Sequence, residues 1–299
     1  MDKHAQRPST LRSSIRSPRI DAHHHLWRYT AAEYQWIGEE MAVLRRDFLI
    51  EDLRVSLKAA NIDSTIVVQA RETLEETTWL MECAQSTSVI GGVVGWAPLE
   101  DEGVLDILRT LISAGKLVGL REIVQGQPEG FLDRERFNVG IGQLKTLDLT
   151  YDILIHEQQL VETVRFVDRH PSQQFVLDHA AKPKISKSEM EPWRTNIREL
   201  ARRPNVVCKV SGLVTEARWD QWTLGSLRPY LDVCVEAFGP TRLLAGSDWP
   251  VCLVATDYAQ WWTLLAEYFQ NFSSHEIRRI FGENATEVYR LSRSGEFQL

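Results

Sequence analysis

The sequence predicts a single α/β domain, a (β/α)8 TIM barrel with parallel strands. Three observations lead there. Eight short apolar, β-branched runs recur along the chain, which is how buried strands read. Helix-like amphipathic segments alternate with them, the pattern of crossover connections in a parallel sheet. The alternation fills roughly the 250 residues such a barrel needs. An open doubly wound sheet is the alternative, but no Gly-rich nucleotide loop follows the first run.

The first run is "RIDAHH" at 19–24, then "STIVVQA" at 64–70, "VIGGVVGWA" at 89–97 and "LVGLREIV" at 117–124. "YDILIH" at 151–156, "QFVLDHA" at 174–180, "NVVCKVSG" at 205–212 and "RLLAGSDW" at 242–249 complete the set. Between them, 46–61 carries Leu49, Leu53 and Leu57 at helical spacing, one apolar stripe. Segments 73–85 and 101–115 also suit helices, the second closing on Gly115. Segment 134–148 is helical despite its glycines, while 157–171, 190–204 and 227–240 each run out at a proline.

With 299 residues and 43% hydrophobic content, the chain can bury one large core. Residues 1–18 are polar and basic and read as a disordered tail, leaving 19–299 as the barrel domain. The tail has no apolar h-region, and nothing in the chain is long and apolar enough to span a membrane. A formal net charge of −7 argues against a nucleic-acid partner. Four scattered cysteines, without C-x-x-C spacing, suit buried thiols in a reducing compartment, so the expected location is cytoplasmic. The expected partner is a small molecule; oligomeric state is not legible.

Active sites of such barrels lie at the C-terminal strand ends. There the sequence puts His23, His24 and His25, then Gln69 and Arg71, then Arg121 and Glu122, then His156. Asp178 and His179, Lys209 and Ser211, and Asp248 follow. His23 and His25 share a strand face, their backbones roughly 6.6 Å apart, so both rings can meet one ion. They can equally be satisfied hydrogen-bonding groups, and His24, pointing away, reads as structural. Asp248 before Trp-Pro can ligate a metal, act as general base or cap a turn. His179 can polarise a carbonyl or bind metal, and Arg121 can hold a developing oxyanion, though either can sit in an ordinary ion pair. Trp27, Trp96 and Trp249 can stack on a sugar ring or fill core. Gln69, Arg71, Glu122, His156 and Lys209 are further substrate-contact candidates, with Glu216 beside them.

The phrases "IDAHHHLW", "LDHAAKP" and "GSDWPV" resemble the amidohydrolase superfamily, and more closely its sugar-lactonase branch of L-fuconolactonases and L-rhamnonolactonases. "YQWI", "VVQAR", "VVGW", "VVCKVSGLVTEA" and "FGPTRLLAGSDWPVC" extend the resemblance over 19–291. It implies hydrolysis of a cyclic ester, led by L-fuconolactone or a close stereoisomer, with Asp248 activating water. It implies a site lined by His23, His25, His179 and Asp248, with His23, His25 and Asp248 as ligands where a metal is bound. One divalent ion, zinc first, is the implied cofactor, although some lactonases of the branch work without one. Glu122 stands where many of these lactonases carry histidine, and His156 is a second departure; together they can create an extra ligand set or alter substrate choice. Lactones carrying extra carboxylates, metal-dependent decarboxylation and non-catalytic binding of a sugar acid are the competing readings.

Overall fold

The computed structural model describes residues 17–291. Eight strands form one sheet in chain order: β1 (Ile20–His24), β2 (Ser64–Val68), β3 (Ile90–Gly95), β4 (Leu117–Glu122), β5 (Thr150–Ile153), β6 (Phe175–Leu177), β7 (Val206–Val210) and β8 (Leu243–Ala245). Each pairs in parallel with the next. The strands are buried on both faces, which is why they read as apolar runs rather than alternating ones.

Helices α1 (Ile50–Ala60), α2 (Leu74–Gln85), α3 (Val104–Ser113), α4 (Glu135–Thr146), α5 (Leu160–Arg169), α6 (Trp193–Ala201) and α7 (Leu224–Phe238) fill the seven connections. The barrel expected from the sequence is the one observed. α1 starts later than the periodicity suggests, because Leu49 is extended and the Asp52 carboxylate accepts its N–H at 3.0 Å. α3 ends as expected, with Gly115 at φ +83°. An eighth helix, α8 (Tyr258–Phe269), opens on an Asp257 cap that accepts Gln260 N–H at 2.7 Å. Short helices α9 (Ser274–Arg278) and α10 (Asn284–Val288) close the described chain.

The barrel closes between its first and last strands just beyond β8. Asp248 N–H donates to His23 O at 2.8 Å and His25 N–H to Trp249 O at 2.6 Å. The lower interior is apolar: Ile20, Ala22, Val68, Val176 and Leu244 pack with Ala285 and Tyr289 of the C-terminal segment. Of the tail expected over 1–18, residues 1–16 lie outside the described residues. Ser17 Oγ donates to Glu283 Oε1 at 2.6 Å, and the Pro18 carbonyl lies against Gly282. Among the described residues, no helix is long and apolar enough to cross a membrane.

Candidate active site

The seam between β1 and β8 is where the reactive side chains gather. β1 shifts register against β2 between Asp21 and His24. His23 and His25 converge, their Nε2 atoms 3.2 Å apart, while His24 turns to the outer side and meets Thr65 Oγ1 at 2.9 Å. Burial lowers His24 to about 3, so it stays neutral as a structural group. Asp248 follows β8 with φ +59°, a left-handed conformation that Asp tolerates better than most residues. Its Oδ1 lies 3.4 Å from His25 Nε2, 3.7 Å from His23 Nε2 and 3.8 Å from His179 Nε2. Burial alone would raise the Asp248 pKa, but His179, His25 and His23 together hold it well below the usual carboxylate range.

His179 reaches this point through an unusual backbone. His179, Ala180, Ala181 and Lys182 have φ between +49° and +59°, a left-handed turn without glycine. Such a turn costs roughly 1–2 kcal/mol per residue. Trp193 Nε1–H helps hold it by donating to Ala180 O at 2.7 Å. Opposite stands Gly212, at φ +65°, where a Cβ would lie 2.5 Å from His179 Nδ1. Ser211 Oγ meets that Nδ1 at 2.9 Å, and burial lowers His179 to about 4.

Arg121, from the end of β4, lies beside the cluster. Its Nη1 donates to Asp178 Oδ2 at 2.9 Å and stands 3.4 Å from His23 Nε2. Its Nη2 donates to Gln69 O, and Gln69 Nε2 answers with a bond to Arg121 O at 3.1 Å. Gln69 therefore positions Arg121, and the Arg121 Nε–H is buried without a protein partner.

The other expected substrate contacts lie in varied surroundings. Lys209 is not at the mouth: it is wholly buried inside the barrel, with Nζ 2.5 Å from Asp152 Oδ2 and 3.0 Å from Asp178 Oδ1. Trp27 is buried in an aromatic group with Tyr34 and Phe48, and its Nε1–H is spent on Arg46 O at 2.9 Å. Trp249 packs its buried ring edge-on against Phe48. Glu122 pairs in register with Ile153, whereas Arg121 pairs with the inward Asp152, so Glu122 lies on the outer face of the sheet. There it accepts Trp96 Nε1–H at 2.9 Å, and burial together with Glu72 raises it to about 8. Arg71 is tied to Glu33 at 2.9 Å. His156 stays half-buried near the mouth, lowered by burial and then by Lys182.

Sequence reasoning placed Asp178 at a strand end without a specific role and missed Asp21, Asp152 and Tyr289. Asp21 accepts Ser247 N–H at 2.8 Å, Ser247 Oγ–H at 2.6 Å and Tyr258 O–H at 2.9 Å, bracing the seam from behind. Burial still raises it to about 6. Asp178 is the hub for Arg121, Lys209 and His23; burial opposes its charge, but Lys209, then His23 and Arg121, pull its pKa far down. A lone aspartate inside an apolar strand run, as in "YDILIH", is the available signal for Asp152.

For a metal, His23, His179 and Asp248 each offer one ligand atom within 4.8 Å of the others. The set includes His179 where the sequence pointed to His25, although His25 Nε2 is the imidazole nitrogen nearest Asp248 Oδ1. Imidazole nitrogen with carboxylate oxygen is a zinc-type donor set, and these residues fit such an ion.

Residues 20–291 match the family model described as amidohydrolase. The chain is 39% identical to an L-fucono-1,5-lactonase of Burkholderia multivorans, covering 94% of this chain and 99% of that protein. An L-fucono-1,5-lactonase of Burkholderia ambifaria is 34% identical, covering 92% and 96%. A crystal structure of an amidohydrolase from Burkholderia multivorans with bound zinc superimposes with a TM-score of 0.90 at 39% identity, covering 92% of this chain and all of that one.

Proposed function

The chain belongs to the amidohydrolase family, and from that premise we propose that it opens a sugar-acid lactone to the aldonate, L-fucono-1,5-lactone first among substrates. The observation that carries this reading is a buried Asp248 carboxylate faced by three imidazole Nε2 atoms, with the Arg121 guanidinium alongside. It supplies an acceptor for the proton of an attacking water and donors for the carbonyl oxygen.

Water adds to the ring carbonyl as Asp248 takes its proton. Ser211 Oγ holds His179 Nδ1 at 2.9 Å, and with the hydroxyl as donor the His179 Nε2–H is free to bond the developing oxyanion together with Arg121. Each such donor lowers the barrier by roughly 3–4 kcal/mol. Collapse expels the ring oxygen, which recovers the proton from Asp248. The new carboxylic acid then ionises and releases one proton to solvent.

His23, His179 and Asp248 would hold a zinc-class ion, with His25 beside them. When bound, such an ion lowers the pKa of a water to about 7. The residue steps above do not depend on it. Arg71 is paired with Glu33, which speaks against its clamping an extra carboxylate of a substrate. The free thiols of Cys83, Cys208, Cys234 and Cys252 support a reducing compartment such as the cytoplasm.

Proton release from freshly prepared L-fucono-, L-galactono- and L-rhamnonolactone tests the assignment. Turnover well above the spontaneous rate is expected, strongest with the first. Release of gas without lactone opening would instead mark a decarboxylase.

A further inference from the structure

Two charged side chains beside the Asp248 cluster have no hydrogen-bond partner among the described residues. Lys182 closes the left-handed turn that delivers His179, at φ +50°, with its N–H donating to His179 O at 2.9 Å. Glu216 stands on the loop after β7. That loop leaves from Gly212, where a Cβ would lie 3.1 Å from Asp248 Oδ2. Thr215 N–H then donates back to Gly212 O at 3.2 Å, and Ser186 N–H donates to Glu216 O at 2.8 Å, tying the loops after β6 and β7 together.

Both side chains are largely withdrawn from solvent, Lys182 with 20% exposed and Glu216 with 25%. Among the described residues each has its ion pair only with the other, and that pair is long, Nζ to Oε1 being 4.0 Å. Lys184, two residues on, behaves differently, because its Nζ is spent on Glu157 Oε1 at 2.5 Å. The charges also act on the groups already described. Burial raises the Glu216 carboxyl, Lys182 lowers it and Asp248 raises it again. Burial and then Lys182 lower the half-buried His156. The pair therefore shares one mouth with Asp248.

A separation of 4.0 Å is too wide for a direct hydrogen bond and suits one oxygen between the two heads. An oxygen about 2.8 Å from each would subtend about 90° between them, near the tetrahedral spread of a hydroxyl's donor and lone pair. We propose that Lys182 and Glu216 form a hydroxyl-reading subsite: Lys182 Nζ–H donates to one ring hydroxyl of the lactone, and Glu216 Oε1 accepts from that same hydroxyl. His156 flanks the subsite on the Lys182 side. The chemistry sets the ligand class. A hydroxyl both donates and accepts, a methylene does neither, and a carboxylate brings no donor for Glu216. The pair thus selects a neutral polyhydroxylated ring over its deoxy counterpart. This deepens the lactonase reading and, in its kinetics, rests on it.

The test crosses enzyme with substrate. kcat/KM is measured for L-fucono-1,5-lactone and its 2-, 3- and 4-deoxy counterparts in wild type, Lys182→Met and Glu216→Leu. In wild type one deoxy lactone should fall at least about tenfold behind the parent, the loss expected of a hydrogen bond to a charged group. In each variant the gap for that same lactone should narrow at least about threefold. A merely structural role would lower every lactone alike and leave the gap in place, which overturns the inference. A wild type in which no deoxy lactone falls that far behind overturns it too. Should Glu216→Leu not fold, Lys182→Met carries the reading alone. L-fucose, whose pyranose ring bears the same hydroxyls without an ester, separates the two claims. A chain that opens none of these lactones refutes the proposed function, and calorimetry with L-fucose then decides the subsite. Binding weakened at least about tenfold in the variants sustains it; no binding, or equal binding, overturns it.

Discussion

Replacing Asp248 by asparagine isolates the proton acceptor. Asparagine keeps the volume and one oxygen, and it tolerates the left-handed φ of +59° that alanine would strain. The backbone bond from residue 248 to His23 O at 2.8 Å is untouched, so the seam should hold, while the melting temperature should fall because the imidazoles favour the charged carboxylate that asparagine lacks. What is lost is the ability to take a proton from water. A positioned general base contributes about 10²–10⁴ in rate, which is roughly 2.7–5.5 kcal/mol of barrier. Asp248→Asn should therefore lose that factor in kcat while KM changes little, because Arg121 and His179 remain to bind the carbonyl. Those donors should also keep the residual rate above spontaneous hydrolysis. The assay is proton release in a weakly buffered indicator solution, with the uncatalysed rate subtracted at each lactone concentration. A folded variant whose kcat stays within about tenfold of wild type would refute the assignment of Asp248 as the base.

Arg121→Lys should cut kcat/KM by about 10²–10³, because one ammonium cannot span both Asp178 Oδ2 and the Gln69 carbonyl; a loss under about fivefold removes Arg121 from the oxyanion contact. Zinc titrated into chelated protein should bind at one ion per chain, and His179→Gln should weaken it at least about tenfold; equal affinity in the variant removes His179 from the ligand set. Glu122, raised to about 8 by burial and Glu72, favours its neutral form when folded, so its contribution is full below the unfolded value and is lost as pH rises towards 8. Glu122→Gln should consequently gain on wild type between pH 5 and 8, by roughly 2 °C or more in melting temperature, and a gain in the opposite direction contradicts the raised pKa. Tyr258→Phe strips one donor from the buried Asp21 and should cost about 1.5–3 kcal/mol in urea unfolding; no measurable loss would mean the bond at 2.9 Å does not brace the seam.

How far the sequence is legible depends on which geometric variable a residue's role turns on. Strand order and strand ends follow from apolar runs and their spacing, so the positions of His23, His25, His179, Arg121 and Asp248 are readable from the chain alone. Depth along the barrel axis is not. Lys209 and Arg121 each stand one residue before the end of their strands, yet Arg121 lies beside the imidazoles and Lys209 below them. Stagger between strands sets that difference, and it is carried by backbone pairing rather than by composition. Face parity is the second hidden variable: Glu122 looks like a partner of Arg121 in sequence, but pairing with Ile153 turns it outward. Tyr289 is hidden for a third reason, since 137 residues separate it from Asp152 and no local pattern announces the bond.

The seam joins these points into one constraint. The acceptor and two of its imidazoles come from opposite ends of the barrel order, and backbone bonds to His23 O and from His25 N–H to Trp249 O join them at the β1–β8 closure. Behind it, Asp21 from β1 collects Ser247 from the end of β8 and Tyr258 from α8, so the same contacts that complete the fold set the distance between Asp248 and the histidines. An opening of that one joint separates base from imidazoles while leaving seven strand pairs intact. Activity should therefore fade before the bulk of the helical signal as denaturant is raised.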